Sequence, residues 1–152
     1  MSHPFRRILV TTDLSDDAVR AFARVAELAR DGGAQVTLLH VVHDVIIPPP
    51  AGVPVSTPLH APEVDKKRGE AEARLQELAA KHFPGVTSEA RAVVAAGAAD
   101  AIADYAKEHG FDLIAMSTHG RSGFRRLVLG SVAEAVIRHS EVPVLLFPKV
   151  PG

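Results

Sequence analysis

Fifteen residues, Ser117 to Ser131, read STHGRSGFRRLVLGS and carry three glycines, three arginines and three serines directly after the apolar run FDLIAM. These residue types suit the capture of an anion. Gly130-Ser131 opens a segment with helical spacing, and a helix N-terminus presents unpaired N–H groups and a partial positive charge. Glycine at 130 lets a phosphate approach the backbone with no Cβ in the way. Ser131 adds a hydroxyl donor, Gly120 offers similar access just after the apolar run, and Arg121, Arg125 and Arg126 bring positive charge. The same residues also admit a plainer use. Gly130 can end a turn, Ser131 can cap its helix in a capping box with Glu134, and the arginines can form a solvated face.

Other chemistries find little footing. The chain has no cysteine, which removes disulfides, thiolate nucleophiles and Cys-based metal sites. There is no Gly-Lys pair and so no Walker loop, no G-x-G-x-x-G after the first apolar run, and no G-x-S-x-G elbow. No His or carboxylate cluster has metal-ligand spacing. His119 has no partner in sequence to make it a base, and His40 reads as a satisfied histidine of an apolar strand.

An anion loop needs a scaffold, and the elements that supply one are legible. RILVTT (7–12) is short, apolar and β-branched, as a buried strand is. The segment 15–33 is a helix, with Ser15 as N-cap, Asp16 and Asp17 in its first turn, and Gly32-Gly33 as its stop. QVTLLHVV (35–42) is a second strand. Residues 43–62 hold six of the eleven prolines, a density that neither a helix interior nor a central strand tolerates. They form a loop, either a connector or a lid. Residues 63–83 make a helix with Val64, Ala71, Leu75, Leu78 and Ala79 on its inner face. SEARAVVA (88–95) is a strand, 97–110 a helix closed by Gly110, FDLIAMS (111–117) a strand, 131–140 a helix and VPVLLFP (142–148) the last strand.

Strands and helices thus alternate, which implies an α/β fold with a parallel sheet and helices on both faces. The strands are continuous apolar runs, as buried parallel strands are. In such a sheet ligands sit beyond the carboxyl ends of the strands, so the places to search are Thr11–Asp13, Val41–Asp44, Ala95–Ala98 and Ser117–Ser131.

The 152 residues are 47% apolar and 23% charged with a formal charge of −1, which fits a single domain spanning 1–152. That balance gives no reason to expect nucleic acid or an anionic membrane as a partner. The N-terminal stretch lacks the apolar segment of a signal peptide, and no apolar run reaches the ~20 residues of a membrane span. The expected location is the cytosol.

The stretch MSTHGRSGFRRLVLGSVAEAVIRHSEVPVLLFP resembles the C-terminal signature of the universal stress protein family. Members of that family that bind ATP carry Gly, two residues, Gly, nine residues, then Gly followed by Ser or Thr. Here Ser117 takes the first position, Gly120 the second, and Arg121 to Leu129 lead to Gly130-Ser131. ILVTTDLSDDAVRAFARVAELA and VTLLHVV are similar to the family's first strand, first helix and second strand, and Gly97 stands at its loop after the third strand.

The resemblance implies a doubly wound, Rossmann-like domain: a five-stranded parallel sheet of order 3-2-1-4-5 with four helices. It implies an ATP-binding or adenine-nucleotide-binding regulatory protein of the stress response with little or no hydrolysis. Asp13 would meet the ribose hydroxyls with Thr12 shaping its turn, Val41 would line the adenine site, and Met116 would lie near the base. Gly120, Gly130, Ser131 and the Val132 N–H would hold the phosphates, Ser117 would belong to the same nucleotide site, and Mg²⁺ would arrive on the nucleotide. It also implies a homodimer through the C-terminal strand Val142–Phe147, an apolar edge that otherwise invites pairing. Serine at 117 departs from the ATP-binding pattern. If the backbone there needs a positive φ, the serine is strained. Two further readings stay open: a protein-interaction module that has lost ATP, and a weak ATPase.

Overall fold

The computed structural model describes residues 5–44, 51–52, 62–118 and 129–148. Five strands form one sheet: β1 (Arg7–Thr11), β2 (Gln35–His43), β3 (Ser88–Ala95), β4 (Leu113–Ser117) and β5 (Val144–Phe147). They lie in the order β3-β2-β1-β4-β5, and every neighbouring pair is parallel. β1 is central, with Ile8 opposite both Val36 of β2 and Leu113 of β4. The helices are α1 (Asp16–Arg20), α2 (Phe22–Gly32), α3 (Pro62–His82), α4 (Ala98–Glu108) and α5 (Ser131–His139). This is the doubly wound order that the resemblance implies.

The predicted first helix is one run in two pieces. Ala21 keeps right-handed helical angles between α1 and α2, but its N–H turns to Ala18 O at 3.2 Å, one residue nearer than the α pattern requires. Counting α1 and α2 together returns the four helices of the fold. Ser15 caps this run as expected, its hydroxyl accepting the Ala18 N–H at 3.3 Å. At the far end Gly33 is left-handed (φ 65°), and Ala34 N–H reaches back to Ala29 O at 2.9 Å, a helix stop that suits a residue without a Cβ.

The alternation of each strand divides the core in two. Ile8, Val10, Val36, Leu38 and Ala115 point to one face, where Phe22, Val25 and Ala29 of α2 and Leu75 and Leu78 of α3 cover them. Leu9, Leu39, Ile114 and Met116 point to the other, under Ile102 and Ala106 of α4 and Ala133 and Val136 of α5. The five residues predicted for the inner face of α3 are its five buried ones. Phe22 is fully buried, with its ring 5.5 Å from that of Phe83 and 5.7 Å from that of His82.

Two strands start later than the sequence suggests. Leu113 opens β4 because the turn at Gly110 (φ 67°) draws the Phe111 N–H back to Ala106 O. Asp112 then accepts the main-chain N–H groups of Arg6 and Arg7 at 2.8 and 2.9 Å. β5 begins at Val144. Pro143 has no N–H to give, but its carbonyl still accepts the Ile114 N–H at 2.9 Å. Most of the proline-rich segment 43–62 lies outside the described residues.

Candidate functional site

β1, β2 and β4 end at the same edge of the sheet, and a cleft of about 330 Å³ opens there. Helix starts close its sides: Ala98 and Ile102 of α4, and Gly130 to Ala133 around the start of α5. The structure brings together Thr12, Asp13, Val41, Met116, Ser117, Gly130, Ser131 and Val132 in this lining. Gly120 lies outside the described residues, as do His119 and the three arginines of the same loop. The cleft sits beside the central strand, where the connections leave the sheet on opposite faces, the position at which doubly wound folds bind ligands.

The β1 side is a built turn. Thr12 N–H still donates to Leu39 O at 3.0 Å, extending the ladder by one residue. The chain then reverses. Thr12 Oγ1 accepts the Leu14 N–H at 3.0 Å, and Asp13 Oδ1 accepts the Ser15 N–H at 2.9 Å. Leu14 sits at φ 67°, a left-handed backbone that costs a non-glycine residue about 1 kcal/mol. Asp13 therefore braces the turn into α1, and the residue also lines the cleft.

The β4 side answers the question raised by serine. Ser117 is the last residue of β4, and Leu14 alone among the described non-glycine residues has a positive φ. Serine at 117 is thus free of backbone strain. The next residue ties three elements. Thr118 N–H donates to Phe147 O of β5 at 3.0 Å, and Thr118 O accepts the Gly130 N–H at 2.7 Å.

The start of α5 corrects one sequence expectation. Gly130, with φ −61° and ψ 155°, is the N-cap, and Ser131 is already helical. The Glu134 N–H goes to Gly130 O at 2.9 Å, and the Glu134 carboxylate meets Arg138 at 2.6 Å. The Ser131–Glu134 capping box does not form, because the helix starts one residue earlier than the box requires. The first turn of a helix leaves N–H groups with no partner inside it, and here that turn, Ser131 to Ala133, lines the cleft.

The sequence reads His40 as a satisfied core histidine. Its Nδ1 does have a partner, the Thr12 carbonyl at 2.8 Å, but the residue is half-buried and lines the cleft. Ala98 ends one of the stretches singled out from the sequence, Ala95–Ala98, whereas Ile102, one turn further along α4, was missed. The placement of Gly97 after β3 was the one available signal, since it starts the helix that carries both.

Fold and cleft together define a doubly wound α/β protein in which an anion-suited helix start and an acidic turn line the same cleft. A profile described as the universal stress protein family matches residues 4–148. The chain belongs to that family. It is 29% identical over 147 residues to Universal stress protein MJ0531 of Methanocaldococcus jannaschii, covering 95% of this chain and 83% of that protein. It is similar in structure to a universal stress protein solved in complex with cAMP, with a TM-score of 0.69 at 25% identity, over 97% of this chain and all (100%) of that one. It is also similar to the universal stress protein from Archaeoglobus fulgidus solved in complex with dAMP, with a TM-score of 0.65 at 25% identity, over 95% of this chain and 98% of that one.

Proposed function

We propose that this protein binds an adenine nucleotide, ATP in the first instance, in the cleft at the ends of β1, β2 and β4, and acts as a regulatory protein of the stress response. The observation that carries the reading is that Asp13 and the start of α5 line one and the same cleft. A carboxylate suits ribose hydroxyls, and a helix N-terminus suits phosphate. Val41 and Met116 offer apolar surface for the base between them, while Ser117, Gly130, Ser131 and the Val132 N–H serve the phosphate side. Gly120 is assigned to the same side from its place in the motif. That two relatives were solved with adenine nucleotides supports the choice of base.

Mg²⁺ enters on the phosphates, held by them and by water rather than by a protein cage. The nucleotide acts as a ligand that shifts the loops after β1 and β4, with little or no hydrolysis. Copies of the chain pair through the C-terminal strand Val142–Phe147. Among the described residues β5 is hydrogen-bonded on one side only, to β4, and Leu145 is 37% exposed, so an apolar edge suits a partner. The working form is a homodimer in the cytoplasm, built from a single domain over 1–152, and it meets protein partners through surfaces that the nucleotide biases.

Calorimetric titration with Mg·ATP, run on the wild type and on Gly130→Asp, tests the reading. Saturable binding lost in the variant is the expected result. No binding by the wild type overturns it in favour of a protein-interaction module. Steady-state ATP hydrolysis abolished by the same substitution overturns the non-enzymatic part.

A further inference from the structure

We infer that His40 is a positioning residue for the nucleotide cleft: its ring locks the Thr12 carbonyl and so aims Asp13 at the ribose. The need for a lock follows from how β1 ends. The paired register of β1 with β2 stops at Thr11 opposite Leu39. Thr12 N–H makes one more ladder bond, to Leu39 O. The chain then turns away, and the Thr12 carbonyl has left the ladder while Thr12 itself stays buried, 7% exposed. A buried carbonyl without a donor is costly. The next residue of β2 supplies that donor from its side chain, His40 Nδ1 at 2.8 Å. Thr12 is therefore gripped at both its N–H and its C=O by consecutive residues of the neighbouring strand.

The tautomer follows from the partner. A carbonyl oxygen can only accept, so Nδ1 carries the proton, and in the neutral ring Nε2 is left as an acceptor. The turn that this bond steadies is strained at Leu14 (φ 67°), and a strained backbone persists only where its surroundings over-determine it. Thr12 Oγ1 and Asp13 Oδ1 contribute from within the turn. His40 contributes from β2 and refers the direction of Asp13 to the rigid sheet. An aliphatic residue would fill the same strand position, so the imidazole is explained by the bond it makes.

The ligand in this inference rests on the nucleotide reading above; the lock itself does not. The experiment compares Mg·ATP with Mg·2′,3′-dideoxy-ATP on the wild type, His40→Leu and His40→Asn. Asn places its amide nitrogen where Nδ1 stands. The expected result is that the wild type prefers ATP, that His40→Leu weakens ATP binding by roughly tenfold and loses the preference, and that His40→Asn keeps it. A role confined to general stability would weaken both nucleotides alike, so an unchanged preference in His40→Leu overturns the inference. A wild type that binds both equally also overturns it, because Asp13 is then not aimed at ribose. A wild type that binds neither sinks the nucleotide reading instead. The lock is then judged on the protein alone, by the ¹⁵N ring spectrum of His40 at about pH 8, above the ordinary histidine range. A proton on Nδ1 supports the lock, and a proton on Nε2 with Nδ1 bare overturns it.

Discussion

The carbonyl of Thr118 accepts the Gly130 N–H at 2.7 Å, so the residue that follows β4 and the residue that starts α5 are pinned to each other. The pin fixes where the helix begins and which way its first turn faces. Gly130 has angles (φ −61°, ψ 155°) open to any residue. Its value therefore lies in the missing Cβ.

Gly130→Asp separates folding from binding on that basis. Aspartate is a good N-cap in this conformation, so thermal stability is expected to hold or rise slightly. A carboxylate at the phosphate side repels the ligand, and Mg·ATP affinity should fall by at least about a hundredfold, or roughly 3 kcal/mol. Calorimetry beside a thermal melt checks both halves. A variant that is destabilised but binds normally would contradict the assignment.

Ser117→Gly tests whether the departure from the family motif matters. Because Ser117 is an ordinary strand residue, glycine there adds freedom to the unfolded chain, at a cost of about 0.5–1 kcal/mol. Nucleotide affinity should change by less than about threefold. A large gain in affinity on removing the side chain would show that serine obstructs the cleft.

The proposed function gives Asp13 two tasks that substitution can part. Asp13→Asn keeps an Oδ1 acceptor for the Ser15 N–H, so stability should hold within about 0.5 kcal/mol. It removes the charge that favours ribose hydroxyls, and ATP affinity should drop roughly tenfold. Asp13→Ala should lose the same affinity and about 1 kcal/mol of stability in a denaturant melt.

Pairing through β5 predicts a mass change. Leu145→Lys puts a charge on the open edge, a device by which sheets resist edge association. The wild type should be a dimer by light scattering at micromolar concentration, and the variant a monomer with an unchanged far-ultraviolet circular dichroism spectrum. A wild type that is already monomeric would refute the pairing.

His82 gives the stability a pH dependence. Burial chiefly, then Lys81 and then Arg74, hold its pKa below the ordinary histidine value. The unfolded chain thus binds a proton more readily than the folded one in the window just below about 6.5. Stability is whole above that value and falls as the pH drops through the window. Denaturant melts between about pH 7.5 and 5 should show a smaller loss for His82→Gln than for the wild type. Parallel curves for the two would reject the assignment.

Much of this was readable from the chain. The strands announce themselves as β-branched apolar runs, and Gly33 and Gly110 mark helix ends because their backbones are left-handed. The motif residues at the carboxyl ends of β1 and β4 could be grouped before any coordinates, since a parallel sheet gathers such ends on one edge. What stayed hidden depends on relations between elements. Nothing in DDAVRAFAR marks the tightening at Ala21. Ser131 and Glu134 have the spacing of a box, yet Gly130 starts the helix once Thr118 holds its N–H. His40 looks like any histidine in an apolar strand until Thr12 is seen to leave the ladder beside it.

The place of β1 has a consequence for how the molecule opens. Its amides lie between β2 and β4 with a packed layer on each face, so they should exchange with solvent only when the whole protein unfolds. β5, at the margin, should release its amides in smaller openings. The Thr12–Asp13 turn hangs from the slowest part of the sheet, whereas Thr118 is tied to one of the quickest. The two walls of the cleft thus keep different time, and a ligand that spans them would slow the exchange of the β5 margin far more than that of the centre.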